Sequence, residues 1–204
     1  GTGKSTLLSG LVALMQSESP GLHITLCAPT GRAAKRLTEL TNVNATTIHS
    51  ALKWNLDNNE FGVNEFNPLD TDVVIVDEFS MVDTWLLGNL LKASKFVKKF
   101  VFVGDKDQLP SVTSGFVLGD MIASKAIKVI ELKHNYRQEE GSEVIDLALQ
   151  INDGQFSLDG FGSDVQFYDN RYGSSDKVVA SLVGMALEKG YSIYDIQVLA
   201  PIYK

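Results

Sequence analysis

Lys4 and Ser5 follow Gly3 in "GTGKST", residues 1–6, and Gly-Lys-Ser is the closing half of the phosphate-binding loop G-x-x-x-x-G-K-[ST]. In such a loop, backbone N–H groups at a helix N-terminus cradle phosphate oxygens, a lysine neutralises the β and γ oxygens, and a hydroxyl ligates Mg²⁺. Lys4 and Ser5 have those types, Gly3 admits an approach that a Cβ would block, and Gly1, Thr2 and Thr6 complete the turn. Short Gly-Lys-Ser strings also occur at ordinary turns, so the loop gains weight only from the motifs downstream in the chain. Its leading glycine and preceding strand would lie before Gly1, which sets the expectation of a piece cut from a larger nucleotide-binding protein.

Three further stretches supply the rest of a phosphoryl-transfer site. In "VVIVDEFSM" four β-branched apolar residues carry Asp77 and Glu78 to the end of a strand. Asp77 would complete a Mg²⁺ shell with Ser5, and Glu78 would orient or deprotonate an attacking water. Without the loop, two solvated acids capping a strand would be the simpler reading. In "VFVGDKDQLPSV" another buried run ends in Asp105 and Gln108, and an amide there suits sensing of a γ-phosphate; a plain polar turn is the competing view. In "ELKHNYRQ" Arg137 follows a further run, as an arginine finger or as a structural ion pair.

These side chains need a frame that brings strand ends together. Leu7, Leu8, Leu11, Val12, Leu14 and Met15 recur at helical spacing, and "HITLCAP" reads as a buried strand. "GRAAKRLTEL" predicts a helix, "TTIHSAL" a short one, "DVVIVDE" a strand of parallel type, "SMVDTWLLGNLLKAS" a helix, "KFVFVGD" a strand, "SGFVLGDMIAS" a helix and "IKVIEL" a strand. Alternating strands and helices predict an α/β fold with a parallel, doubly wound sheet, which presents ligands at the carboxyl ends of its strands. Within it, residues 53–67 read as an inserted β-hairpin turning at Asp57-Asn58-Asn59. Past Gln138 the pattern shifts to helix, strand ("DVQFYD"), helix and strand ("IQVLAP"), so a boundary is expected between 1–138 and an incomplete unit at 139–204.

Composition narrows the alternatives. The 204 residues are 44% hydrophobic, ordinary for a folded domain, with a formal charge of −7 that argues against binding nucleic acid over the whole surface. Local basic groups persist at Arg32, Lys35 and Arg36 and at Lys92, Lys95, Lys98 and Lys99, each of which is also what a solvated helix face looks like. One cysteine, Cys27, excludes an internal disulfide or cysteine-cluster zinc site and fits a reducing, cytoplasmic setting. No run nears the ~20 apolar residues that span a bilayer, so no membrane role is expected.

Taken in chain order, "GTGKST", "APTGRAAKRL", "ATTIHSAL", "VIVDEFSMV", "VGDKDQLPSV" and "LKHNYRQ" resemble the motor core of a superfamily 1 DNA helicase, most closely the RecD-like group that includes the exodeoxyribonuclease V alpha subunit. The resemblance covers residues 1–138, with a weaker match at "VLAPIYK". It implies a RecA-like P-loop nucleoside triphosphatase domain followed by the beginning of a second RecA-like domain, with ATP and Mg²⁺ as cofactors. It implies single-stranded and duplex DNA as partners, 5′ to 3′ translocation, a role in DNA recombination and repair, and nuclease or helicase partner subunits.

The same resemblance assigns Pro29, Thr30, Gly31 and Arg32 to the single-strand backbone and makes Thr47 and His49 further DNA-proximal candidates, although His49 reads equally as a core histidine. The hairpin matches a pin that helps part the duplex, where Trp54, Phe61 and Phe66 would either stack on bases or pack the hairpin onto its domain. The upstream adenine-reading segment and the later helicase motifs are not matched, so the 204 residues alone are expected to hydrolyse ATP negligibly. The helicase portion of a conjugative relaxase shares most of these motifs, and a non-catalytic P-loop scaffold is the alternative from another class.

Overall fold

The computed structural model describes residues 3–132, 142–157, 161–162, 164–169 and 174–200. Two compact units divide the chain, residues 1–140 and 141–204.

The first unit opens on α1 (Lys4–Glu18), which runs into β1 (Ile24–Ala28), α2 (Gly31–Thr41), β2 (Ala45–Thr47) and α3 (Ile48–Ala51). The hairpin β3 (Trp54–Asn55) and β4 (Glu60–Phe61) comes next, then β5 (Val73–Val76), α4 (Thr84–Lys92), β6 (Lys99–Phe102) and α5 (Val117–Ser124). β2, β1, β5 and β6 form one four-stranded sheet in that order, parallel throughout. The chain leaves β1 toward β2 on one side and later passes from β5 to β6 on the other, so the strand order reverses between β1 and β5. In open α/β sheets, that reversal opens a crevice at the carboxyl ends of the strands.

Alternation along each strand explains why helices cover both faces. Val73 and Ile75 of β5, with Leu26 of β1, pack against Leu8 and Val12 of α1 and Leu37 of α2. Val74 and Val76, with Cys27, face the opposite cluster of Ile48, Leu52, Phe79, Leu86 and Leu90. Val74, Ile75 and Val76 are fully buried, and burial of such side chains contributes about 1.5–3 kcal/mol each.

The hairpin pairs Trp54 with Phe61 and Asn55 with Glu60 in antiparallel register. Its turn is local chemistry: Asn55 Oδ1 accepts from Asp57 N at 2.8 Å, and Asn59 takes a left-handed φ of 51°. Beneath it, Trp54, Phe61, His49 and Trp85 of α4 form an aromatic cluster, with 4.7 Å between the Trp54 and Phe61 centroids and 5.2 Å between Phe61 and Trp85.

Several expected elements differ. "TTIHSAL" is not all helix: its first threonines extend the sheet as the edge strand β2, where branched side chains suit a pleated ladder. "IKVIEL" is irregular through Leu132, with Ile130 74% exposed and no ladder partner among the described residues. The described parts of "DVQFYD" and "IQVLAP" are likewise irregular. An apolar run becomes a strand only where a neighbour completes its hydrogen bonds. The second unit carries α6 (Glu143–Asn152) and α7 (Ser175–Glu188), and Glu143 Oε2 gathers the N–H groups of Gly162, Asp164 and Val165, each at 3.0 Å.

Candidate phosphate site at the sheet edge

Gly3 is the N-cap of α1, with φ 78° and ψ 12°, a left-handed turn that glycine adopts without steric cost. Its carbonyl accepts from Leu7 N at 3.0 Å, which starts the helix and leaves the first-turn N–H groups of Lys4, Ser5 and Thr6 pointing out of its end. Ser5 is half-buried and Thr6 exposed. Gly1 and Thr2 lie outside the described residues, as does Arg137.

Lys4 reaches across the sheet edge to the turn after β6, where its Nζ lies 2.6 Å from Asp105 Oδ2. The other carboxylate oxygen, Oδ1, accepts from Asp107 N at 3.3 Å, and the Asp105 carbonyl accepts from Gln108 N at 3.2 Å. Asp105 thus closes the turn that presents Gln108, whose side chain is exposed. Burial pushes the Asp105 carboxyl up, but the Lys4 hydrogen bond and charge outweigh it and hold the group below its ordinary range.

Asp77 stands at the end of β5, where its N–H donates to Cys27 O at 2.9 Å and its Oδ1 accepts from Glu78 N at 2.9 Å. Glu78 has φ 51° and ψ 40°, an uncommon backbone state for a residue with a Cβ. It turns the chain sharply, after which Phe79 N donates to Val103 O at 2.8 Å and the Phe79 ring stacks on Phe102 with centroids 4.2 Å apart. Gly104 lets the β6 turn pass close to this segment, since a Cβ there would come within 2.8 Å of Leu118 Cδ2 and 3.1 Å of Ser80 N. Asp77, Glu78 and Asp105 therefore lie on adjacent strand ends, with Lys4 tied to the last of them.

Along the same edge, β1 and β2 end side by side, with Ala28 opposite Thr47. Thr30 caps α2 through Oγ1, accepting from Ala33 N at 3.3 Å, and Thr47 caps α3 by accepting from Ser50 N at 3.0 Å. Pro29 is half-buried, while Gly31 and Arg32 are exposed. His49 is half-buried against the rings of Trp54, Phe61 and Trp85 at 5.9–6.4 Å. Phe61 is buried beneath the hairpin, whereas Phe66 is 90% exposed. Sequence alone does not single out Trp85, because it sits in an ordinary apolar helix pattern and meets the hairpin only in three dimensions.

Helix N-terminus, ammonium, hydroxyl and strand-end carboxylates on one edge of a parallel sheet make a P-loop nucleotide-binding arrangement of the α/β class. The AAA domain family matches residues 1–173, and the chain belongs to it. Its curated relatives include an ATP-dependent RecD2 DNA helicase of Deinococcus radiodurans, 39% identical over 76% of this chain and 21% of that protein. A RecBCD enzyme subunit RecD of Mycolicibacterium smegmatis is 35% identical over 78% of this chain and 33% of its own length. The chain therefore spans about a fifth to a third of these relatives. Among solved structures, a Bacteroides Pif1 in complex with ADP-AlF4 aligns at 25% identity and a TM-score of 0.48, over 78% of this chain and 42% of that one.

The donor set fits a magnesium nucleotide. Mg²⁺ is usually held by one or two carboxylates together with substrate phosphates, so a hydroxyl and a carboxylate suffice. No cluster of three or more His, Cys, Asp or Glu able to hold a metal by itself occurs among the described residues. No helix among them is long and apolar enough to cross a membrane.

Proposed function

We propose that this chain is part of an ATP-dependent DNA helicase of superfamily 1, RecD-like in type, and that it forms the ATPase half of the motor. The observation that carries the reading is the arrangement of Lys4, Asp77, Glu78 and Asp105 on one edge of a parallel sheet, beside Thr30 and Thr47 on the neighbouring strand ends. The RecD2 and RecD names of the relatives support the same direction.

In this reading the N–H groups at the start of α1 and the Lys4 ammonium bind the β and γ phosphates of ATP. Ser5 and Asp77 would hold Mg²⁺, which would supply charge neutralisation at the phosphate oxygens. Glu78 orients a water for in-line attack and accepts its proton. Gln108 and Arg137 respond to the γ-phosphate, and residues 139–204 would begin a second RecA-like domain. Pro29, Thr30, Gly31, Arg32, Thr47 and His49 grip the sugar-phosphate backbone of the single strand, with duplex DNA ahead of it. Cycles of closure and release then move the strand 5′ to 3′. Recombination and repair, a cytoplasmic location and nuclease or helicase partner subunits complete the proposal.

The test is ATP hydrolysis by the full-length protein with and without single-stranded DNA, beside a Lys4→Ala variant. Stimulation by DNA that disappears in Lys4→Ala is the expected result. A rate indifferent both to DNA and to Lys4 would remove the motor and leave a P-loop scaffold.

A further inference from the structure

Lys4 and Asp105 stand 101 positions apart, yet the ammonium and the carboxylate meet at 2.6 Å, with both side chains about 30% exposed. A phosphate arriving at Lys4 therefore meets a group that already carries an anionic partner. Asp105 is itself fixed, because its Oδ1 accepts from Asp107 N and its carbonyl closes the turn to Gln108. Because this carboxylate already occupies Lys4, an incoming anion must either displace Asp105 from it or share the ammonium with it.

We propose that Asp105 is an internal anion of the phosphate site, which competes for Lys4 and lowers the affinity of ligands that place a β- or γ-phosphate there. The inference rests on the nucleotide-binding reading above and deepens it. One carboxylate carries a single negative charge, whereas the terminal group of a di- or triphosphate carries more and presents several oxygens to the same ammonium. Ligands that place no phosphate at Lys4, such as a nucleoside monophosphate, leave the ion pair intact and gain nothing from Lys4. The exchange also reaches Gln108: the carboxylate that releases Lys4 belongs to the residue closing the turn on which Gln108 sits.

The experiment is calorimetric titration of the full-length protein with AMP, ADP and a non-hydrolysable ATP analogue, using wild type, Asp105→Asn, Asp105→Glu and Lys4→Ala, and the Lys4→Ala, Asp105→Asn double variant. Asn keeps an acceptor for Asp107 N and removes only the charge facing Lys4. The expected result is that Asp105→Asn tightens ADP and the analogue about tenfold and leaves AMP unchanged. Asp105→Glu, which keeps the charge, stays within about threefold of wild type, and the gain from Asn vanishes when Lys4 is absent. Unchanged or weaker ADP binding in a cooperatively melting Asp105→Asn protein would overturn the proposal while leaving nucleotide binding standing. Equal tightening of AMP would overturn it too, by exposing a general charge effect. Wild type that binds none of the three would overturn both readings. If Asp105→Asn fails to melt cooperatively, Asp105→Ser repeats the test with the same expected and overturning results.

Discussion

Trp54 stands directly across the hairpin from Phe61, their ring centroids 4.7 Å apart, and both rings rest against Trp85 of α4. The hairpin is therefore fastened to its domain by its aromatic pair rather than offering that pair to solvent. Phe61→Ala is expected to cost about 3–5 kcal/mol, because a buried ring is lost with little to refill its place. Phe66→Ala, at a residue 90% exposed, should stay within about 0.5 kcal/mol. Urea denaturation distinguishes the two, and equal losses would contradict the packing described.

Cys27 lies fully buried in β1, and burial pushes its thiol up to about 12. The reactive species is the thiolate, so the native protein should resist a thiol reagent at neutral pH and react only through unfolding. Labelling monitored across a denaturant series should then track the global transition. Rapid modification under native conditions would show that the sheet opens locally at β1.

Asp72 joins two strand starts: Oδ1 accepts from Lys98 Nζ at 2.7 Å, ahead of β6, and Oδ2 accepts from His23 N at 3.0 Å, ahead of β1. The Lys98 hydrogen bond first, and the His23 backbone bond second, hold its carboxyl below the ordinary carboxylate range. A depressed carboxylate contributes stability above its unfolded pKa and loses it as pH falls through the folded one. Asp72→Asn should therefore be less stable than wild type at pH 6–7, with the gap closing in acid below the ordinary carboxylate range. A gap independent of pH would mean that the charge contributes nothing.

The parallel sheet was legible because its central strands are continuous branched apolar runs, and only a strand buried on both faces needs them. β5 shows this directly, with Val73 and Ile75 facing one core and Val74 and Val76 the other. β2 was hidden by its brevity: Ala45, Thr46 and Thr47 carry no alternation and become a strand only because β1 offers a free edge. Residues 127–132 are the opposite case, a good strand sequence with no ladder among the described residues. Within the candidate site, the residue types at positions 4, 77, 78 and 105 were readable from local motifs. The pairing of Lys4 with Asp105 was not, since it joins a helix start to a strand end 101 positions later. Trp85 is a like case, since it meets the hairpin rings only through the fold.

Glu78 combines a candidate catalytic carboxylate with a left-handed backbone, φ 51° and ψ 40°, in the half-buried turn after β5. That conformation costs a residue with a Cβ roughly 1–2 kcal/mol, and glycine adopts it freely. Replacement by glycine relieves that cost but adds freedom to the unfolded chain, so Glu78→Gly should gain up to about 1 kcal/mol of stability. Glu78→Gln keeps the Cβ and the backbone cost, and should stay within about 0.5 kcal/mol of wild type. If Glu78 accepts the proton of the attacking water, both variants lower hydrolysis by about 10²–10⁴-fold while nucleotide affinity stays near that of wild type. Single-turnover hydrolysis beside urea denaturation separates the two effects. A glycine variant less stable than wild type would refute the backbone argument, and a glutamine variant with full turnover would assign the proton to another base.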